Sequence, residues 1–156
     1  MTHEPTIYRS QIKNVSFGEN VKITSPSNLY DCSIGDNTSI GPFVEIQKGV
    51  RIGSNCKIQS HAFICELVTI GDHTVISHGV MFINDLFATG GPANGDKKLW
   101  KSTQIGDHVS IGSNSTILPV KIANNVVIGA GSVVTKDINV PGIYAGNPAK
   151  KIREIS

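Results

Sequence analysis

The chain has 156 residues, a formal net charge of +2 and 39% hydrophobic residues, which fits one domain spanning 1–156. A charge so near zero, with no basic run inside the repeat described below, argues against nucleic acid as the main partner. No apolar stretch reaches membrane-spanning length and the first residues carry no signal-peptide core, so we expect no membrane partner. The three cysteines show no CxxC spacing, which is typical of a protein kept in the reducing cytoplasm.

An apolar residue recurs at every sixth position through the middle of the chain. A period of six fits neither the turn of an α-helix nor an alternating strand. It fits a very short strand plus a turn, repeated and stacked, and so predicts an all-β solenoid of hexapeptide repeats. The run without a gap consists of Ile34, Ile40, Ile46, Ile52, Ile58, Ile64, Ile70, Ile76 and Phe82.

Weaker repeats precede and follow this run. Early units begin at Val15 and Val21, and one extra residue then precedes Ile34. Beyond the run, the pattern returns after an interruption and continues almost to the C-terminus. The later anchors are Ile105, Ile111, Ile117, Ile122 (one residue early), Ile128, Val134 and Val140.

The interruption predicts a long loop inserted near residues 84–104. Its segment 90–96 reads Gly-Gly-Pro-Ala-Asn-Gly-Asp, a composition that cannot hold a strand. In a solenoid such an insertion emerges on one face, often the binding face. At the other end, Pro148 and residues 149–155 predict a short C-terminal tail or helix, which would be a small helix or a cap over the last coil.

Four segments resemble a known group of proteins. The runs 127–137 (VIGAGSVVTKD) and 145–150 (AGNPAK) resemble the hexapeptide-repeat acyltransferase superfamily. The runs 77–85 (SHGVMFIND) and 115–120 (STILPV) resemble N-acetyltransferases of nucleotide-linked amino sugars. The resemblance implies a left-handed parallel β-helix with three hexads per triangular coil and a homotrimer with sites between subunits.

The same resemblance implies a reaction. Acetyl-CoA would be the co-substrate, and its pantetheine arm would lie along the coil at the subunit interface. The acceptor would be the amino group of a nucleotide-linked deoxyhexose, as in the many members that act on the 3-amino group of a dTDP- or UDP-linked hexose. The product would serve bacterial surface polysaccharide synthesis.

Asn84 is the first candidate for the site. The resemblance places an Asn at this motif position against the sugar amino group, whereas its structural alternative is to turn the chain into the loop. Three hexads per coil would stack Glu66 one coil away from Asn84, either as a ligand of the sugar or as a solvated carboxylate. Asp85 would bind sugar or cap the loop.

His78 is the candidate for a general base or a thioester contact, because histidine is the natural base at neutral pH. The same coil geometry would place it in line with Ser113 and Ala130, and would put His61, a substrate-binding candidate, at the same corner. O-acetyltransferases on this scaffold carry a histidine after the coil. In this chain the corresponding residues 83–85 read Ile-Asn-Asp and include no histidine. This departure leaves water or the departing CoA thiolate as the alternative proton acceptor.

Small and basic residues are the candidates for holding CoA. Small residues would let the pantetheine arm approach the backbone, and cations match its phosphates. The structural alternatives are corner residues that the fold itself needs and a solvated charged tail. The candidates are Gly112, Ser113, Ala130 and Gly131 for the arm, and Lys136, Lys151 and Arg153 for the phosphates.

Other functions on the same scaffold stay open. One is O-acetyl transfer, and another is a non-catalytic scaffold subunit. A third is a zinc-dependent carbonic anhydrase-like protein, which would need His61, His73 and His78 as ligands. That family has a second histidine five residues after the first, but the residue five positions after His78 is Ile83. We therefore predict no metal.

Overall fold

Very short strands alternate with turns along almost all of the computed structural model, which describes residue 6 and residues 8–155. The remaining parts of the predicted 1–156 domain, residues 1–5, 7 and 156, lie outside the described residues. The strands are β1 (Ile12–Lys13), β2 (Ser16–Phe17), β3 (Lys22–Ile23), β4 (Asn28–Tyr30), β5 (Ser33–Ile34), β6 (Ser39–Ile40), β7 (Glu45–Ile46), β8 (Arg51–Ile52), β9 (Lys57–Ile58), β10 (Phe63–Ile64), β11 (Val68–Ile70), β12 (Val75–Ile76), β13 (Met81–Phe82), β14 (Thr103–Ile105), β15 (Ser110–Ile111), β16 (Thr116–Ile117), β17 (Lys121–Ile122), β18 (Val126–Ile128), β19 (Val133–Val134), β20 (Gly142–Ala145) and β21 (Lys150–Arg153).

From β1 to β19, each strand pairs with the strands three positions away along the chain, which produces three faces, and β20 and β21 extend the third face. The first face holds β1, β4, β7, β10, β13, β16 and β19, and the second holds β2, β5, β8, β11, β14 and β17. The third face holds β3, β6, β9, β12, β15, β18, β20 and β21. The predicted all-β, left-handed parallel β-helix with three hexads per coil is therefore confirmed.

The core is a set of columns of apolar side chains along the axis. On the first face Ile46 pairs with Ile64 and Phe82 pairs with Ile117, and each is at most 1% exposed. Burying one such side chain contributes about 1.5–3 kcal/mol. Adjacent coils also exchange backbone hydrogen bonds, so apolar burial and backbone pairing follow the same repeat.

The irregular steps of the repeat fall at one corner. From the second face to the third and from the third to the first, successive anchors are six residues apart, as in Ile34, Ile40 and Ile46. From the first face to the second, the step shortens between Leu29 and Ile34. The same corner accommodates the early Ile122 and the entire inserted loop.

Two corners matter below. The loop corner, between the first and second faces, carries Glu66, Asn84 and the inserted loop 83–102, which lies between β13 and β14. The histidine corner, between the third and first faces, carries His61 and His78. The loop near 84–104 is confirmed, and it contains a single 3-10 turn, Lys97–Leu99.

Three details of the predicted repeat change at its ends. Ile138, which is buried and bridges Ile122, takes the last anchor position in place of Val140, which is exposed. Phe17 pairs with Ile34 and Ile23 pairs with Ile40, so these two, rather than Val15 and Val21, occupy the anchor positions of the first coil. At the other end residues 149–155 form no helix, so that alternative was wrong. β21 pairs antiparallel with β20 and covers the open edge of the third face, where unpaired backbone groups would otherwise remain.

Four anchors of the second face are each followed directly by a glycine, and these glycines stack in one column. They are Gly35, Gly53, Gly71 and Gly106. Ile70 pairs with Ile105 across the loop, so the loop adds no face and Gly106 continues the column of Gly71. A Cβ on Gly53 would lie 2.8 Å from the carbonyl carbon of Gly71 and would also overlap the Asp72 carboxylate. The coil spacing therefore leaves no room for a side chain at this position.

We expect Gly53→Ala to lower the free energy of unfolding by about 1–3 kcal/mol, because backbone of the next coil must move to admit the new methyl group. Urea unfolding followed by circular dichroism measures the change. Gly91→Ala is the control: it lies in the loop with nothing within 4 Å of its Cβ position, so it should change stability by less than about 0.5 kcal/mol. Equal effects of the two variants would contradict this account of the column.

Candidate functional site

Asn84 and Glu66 lie on adjacent coils at the loop corner. The Nδ2 of Asn84 donates a hydrogen bond of 3.2 Å to the backbone oxygen of Glu66, which confirms the predicted stacking. This bond fixes the amide plane at the point where the chain leaves the coil. Its Oδ1 accepts no hydrogen bond from the described residues, so it is available to an N–H donor from a ligand.

The loop folds back over this pair. Lys97 Nζ lies 2.6 Å from Oε2 of Glu66, and the Glu66 side chain is 19% exposed against 58% for Lys97. The same ammonium lies 5.2 Å from the centre of the Trp100 ring, within the range of a cation–π contact. The backbone N–H of Lys101 donates to the backbone oxygen of Asn84 at 2.9 Å. The loop return therefore contacts both site candidates.

Asp85 caps the loop. One carboxylate oxygen accepts from the backbone N–H of Phe87 at 2.9 Å, and the other accepts from the backbone N–H of Ala93 at 2.7 Å. These bonds support the loop-capping alternative, because both oxygens are already engaged. Sugar binding by Asp85 stays a prediction.

Further polar residues extend the site toward the N-terminal coils. Gln47 donates to Glu45 at 2.9 Å and accepts from the backbone N–H of Glu66 at 3.3 Å. Burial raises the pKa of Tyr30, and the carboxylates of Glu45, Glu66 and Asp31 raise it further. A connected polar strip therefore spans several coils along the edge of the first face.

The sequence pattern predicted neither this strip nor the contact of Lys97 with Glu66. The repeat did contain a signal for Gln47. This residue directly follows the anchor Ile46, which lies on the same face as Phe82, the anchor that precedes Asn84. No periodic signal could have identified Lys97, because it lies inside the aperiodic loop. Its proximity to Glu66 depends on how the loop returns.

At the histidine corner the predicted alignment is confirmed. The backbone N–H of Asn114 donates to the backbone oxygen of His78, and that of Gly131 donates to the backbone oxygen of Ser113. His78, Ser113 and Ala130 thus follow one line on successive coils. The His61 ring packs on Phe43 with 4.9 Å between ring centres. Both histidines are exposed.

Within one chain, the two catalytic candidates lie far apart. His78 precedes β13 at the histidine corner, and Asn84 follows β13 at the loop corner. His78 lies in the turn at residues 78–79, and the chain then crosses the first face as β13 before it reaches Asn84. The two side chains therefore lie at opposite edges of the first face.

The small residues proposed for the pantetheine arm have structural duties. The N–H of Gly112 donates to the backbone oxygen of Ile128 at 2.8 Å, and a Cβ on Gly112 would lie 2.8 Å from the carbonyl carbon of Gly129. The N–H of Gly131 is also engaged, with Ser113. Contacts of Gly112, Ser113, Ala130 and Gly131 with CoA stay predictions, and these two N–H groups are not available for them.

The three candidate phosphate ligands differ in their surroundings. Lys151 forms an ion pair of 2.6 Å with Glu154, and Arg153 donates to the backbone oxygen of Glu154 at 3.2 Å. Lys136 follows β19 and forms no ion pair with the described part of the chain. Phosphate binding by all three stays a prediction.

The histidines of the zinc alternative do not come together in one chain. His73 lies at the corner between the second and third faces, where its ring stacks on His108 with 4.8 Å between centres. His61 and His78 lie at the histidine corner. Across residues 6 and 8–155, no three His, Cys, Asp or Glu side chains form a group able to hold a metal ion.

The cysteines are poorly suited to act as nucleophiles. Burial raises the pKa of Cys32 to about 11 and that of Cys65 to about 12. Burial is also the main cause of the raised pKa of Cys56. Because the thiolate is the reactive form, none of these thiols is set up to form an acyl-enzyme intermediate.

Comparison with known proteins supports the repeat. The model of the bacterial transferase hexapeptide (six repeats) matches residues 31–66, and that of the hexapeptide repeat of succinyl-transferase matches 102–136. The bifunctional protein GlmU of Acaryochloris marina is 33% identical over 141 residues, which cover 83% of this chain and 30% of that protein. The chain thus spans about a third of the length of the curated relatives it matches.

Solved structures extend the similarity to the whole coil. AntD, an N-acyltransferase from Bacillus cereus in complex with dTDP and 3-hydroxybutyryl-CoA, is 26% identical at a TM-score of 0.79, covering 92% of this chain and 84% of AntD. A maltose O-acetyltransferase from Clostridium difficile is 25% identical at a TM-score of 0.57, covering 90% and 70%. None of the described residues forms a helix that could cross a membrane. By its repeats, its coil and these relatives, the chain carries the bacterial transferase hexapeptide repeat and is similar to the hexapeptide-repeat acyltransferases.

Proposed function

We propose that the protein is an acetyl-CoA-dependent N-acetyltransferase of a nucleotide-linked amino-deoxyhexose, with the 3-amino group of a dTDP-linked sugar as the acceptor. The observation that carries the proposal is the pair of Asn84 and Glu66, an amide oxygen and a carboxylate side by side at the loop corner. These groups accept hydrogen bonds from an amine. The complex of AntD with dTDP and an acyl-CoA supports the classes of nucleotide and donor.

The reaction requires no covalent enzyme intermediate. Asn84 Oδ1 accepts an N–H of the sugar amine and directs the nitrogen lone pair at the thioester carbonyl carbon. The carbon–nitrogen bond forms, the carbon–sulfur bond breaks, and CoA leaves with the electron pair on sulfur. The proton lost by nitrogen passes to His78 of a neighbouring copy, to water or to the CoA sulfur, so the products are an amide and free CoA. The raised thiol pKa values in this protein favour such direct transfer.

A homotrimer with sites between subunits would unite the two corners. In a cyclic trimer the loop corner of one copy faces a different surface of the next copy, which can be the histidine corner. The first face between the corners presents apolar side chains, including Phe63, Met81 and Val133, and Met81 is 41% exposed. Such a face gains stability when a neighbouring copy covers it.

The remaining elements of the proposal concern CoA and the cell. The pantetheine arm would follow Ser113, Ala130 and Gly131, and Lys136, which forms no ion pair with the described residues, would bind a phosphate. We place the protein in the cytoplasm, because its three cysteines are buried and free, as is usual in a reducing compartment. Its product would be a building block of bacterial surface polysaccharide.

O-acetyl transfer is the second candidate, and the similarity to maltose O-acetyltransferase favours it. Activation of a hydroxyl group needs a stronger base than attack by a neutral amine does. Residues 83–85 carry no histidine, and the exposed His78 lies at the other corner. The loop corner therefore suits an amine better than an alcohol.

A thiol-release assay tests the reaction. We expect acetyl-CoA to release CoA in the presence of dTDP-linked amino sugars, and a matched panel of UDP-linked amino sugars defines the nucleotide. 3-Hydroxybutyryl-CoA tests the length of the acyl group. Sugars with a hydroxyl in place of the amine are the control and should not react. Release with the hydroxyl sugars alone would overturn the N-acyl assignment.

We expect Asn84→Ala to lower kcat/KM about a hundredfold, because the amine loses the acceptor that aligns it with the thioester. The thiol-release assay measures the loss, and size-exclusion chromatography with light scattering checks the trimer. Asn139→Ala removes an exposed amide next to Ile138, which pairs with the last strand of the second face, and should leave turnover unchanged. Wild-type turnover in Asn84→Ala would show that Asn84 only turns the chain into the loop.

A further inference from the structure

The reaction proposed above assigns no role to the ion pair between Lys97 and Glu66. Lys97 Nζ and Glu66 Oε2 are 2.6 Å apart, and the Glu66 side chain is largely buried. Trp100 borders the same ammonium at 5.2 Å. Neither the coil nor the capping of the loop by Asp85 requires a cation at this position. The pair therefore calls for a functional explanation.

The ion pair leaves one side-chain oxygen of Glu66 and one of Asn84 available to bind a ligand. Lys97 binds Oε2 of Glu66, whereas Oε1 of Glu66 makes no hydrogen bond to the described residues. Asn84 uses Nδ2 for the Glu66 backbone, which leaves its Oδ1. An acceptor nitrogen held by Glu66 Oε1 and Asn84 Oδ1 would therefore lie next to the Lys97 ammonium, with a carboxylate shared between them.

The chemistry of the acceptor explains why a cation is useful here. An aliphatic amine is mostly an ammonium ion near neutral pH, and an ammonium nitrogen has no lone pair with which to attack a thioester. A buried carboxylate without a partner would select this unreactive form, because an opposite charge favours the ionised state. A second cation already paired with the carboxylate reverses that preference, since like charges disfavour ionisation of a neighbouring group.

We infer that Lys97 is a specificity-determining residue that makes the site bind its acceptor as a neutral amine. The inference rests on the proposed function. Glu66, with its charge balanced by Lys97, accepts a hydrogen bond from the neutral amine instead of pairing with an ammonium ion. The acceptor releases its extra proton to solvent on binding, and its nitrogen keeps the lone pair that attacks the thioester.

The other charged groups around the pair come from each element packed against it. The coils contribute Glu45 and Asp31, whose charges act on Tyr30 together with that of Glu66. The loop contributes Asp85, whose oxygens are bound to loop N–H groups, and Asp96, which accepts from the backbone N–H of Lys98 at 3.1 Å.

Lys98 and Lys101 are the remaining cations of the loop, and both are exposed. The acidic groups would favour a bound ammonium ion. The direct contact of Lys97 with Glu66 opposes them at the shortest range.

Calorimetric binding in buffers of different ionisation enthalpy counts the protons released when a dTDP-linked amino sugar binds at pH 7. We expect the wild-type protein to release nearly one proton per site. Lys97→Gln should release clearly less, because the acceptor then binds as an ammonium ion against an uncompensated Glu66. The hydroxyl analogue of the sugar should release no proton with either protein.

Kinetics of the same variant give a second readout that misfolding would not mimic. Lys97→Gln should lower KM and also lower kcat about tenfold at pH 7, and kcat should recover as the pH rises by about one unit. Lys97→Arg keeps the charge and should retain the wild-type pH profile. Lys98→Gln, the neighbouring lysine without an ion pair among the described residues, is the matched control and should behave as wild type.

The outcomes separate the two proposals. If the wild-type protein neither binds nor acylates any nucleotide-linked amino sugar, the proposed function fails. If it acylates them and Lys97→Gln keeps the wild-type proton release and pH profile, only the inference about Lys97 fails. Loss of kcat at every pH in Lys97→Gln would also overturn it, because removing the charge must leave an enzyme that works at high pH.

Discussion

Backbone pairing between coils, with a buried anchor side chain in each strand from β4 to β19, is the constraint on which the rest of this molecule depends. Each strand is two to four residues long and would not be stable alone. Stacking places every anchor over its counterpart, so apolar burial and hydrogen bonding add up along the axis. The glycine column shows how strict this spacing is, because a methyl group at Gly53 would overlap the next coil.

The number of residues between successive anchors varies only at the loop corner, where the stacking of the coils tolerates it. Two corners keep a fixed step between anchors, whereas the loop corner varies and admits the inserted segment between β13 and β14. Asn84, Glu66 and Lys97 all lie there. The rigid coil fixes two of these side chains and the loop supplies the third, which is the usual division between scaffold and functional loop.

The division of site candidates between two corners links assembly to chemistry. A single chain holds Asn84 and Glu66, the proposed amine-binding groups, at one edge of the first face and His61 and His78 at the other. The apolar side chains between them would be covered by a neighbouring copy in the proposed trimer. The Lys97–Glu66 pair adds an electrostatic element, because a carboxylate with a balanced charge prefers a neutral amine, the form that can react.

The sequence by itself determined the repeat, the three-sided coil that the family resemblance implied, the position of the loop and the stacking of Glu66 with Asn84. The repeat and the loop follow from periodicity alone, whereas the stacking also needed the three hexads per coil that the resemblance implied, because only then does a fixed step along the chain become a fixed position around the axis. Val15 and Val21 were misassigned because the first coil is only partly buried, so its apolar pattern is weak. The C-terminal segment 149–155 was ambiguous because its pairing edge exists only once the last coil has formed.

Only the tertiary structure decided which groups meet across the aperiodic part of the chain. The contact of Lys97 with Glu66, the capping of the loop by Asp85 and the packing of Lys97 on Trp100 depend on the path of the loop, which no period encodes. The separation of His78 from Asn84 likewise became clear only when β13 was seen to cross a whole face between them. Periodicity specifies positions on the coil, whereas contacts made by a loop depend on its folded path in three dimensions.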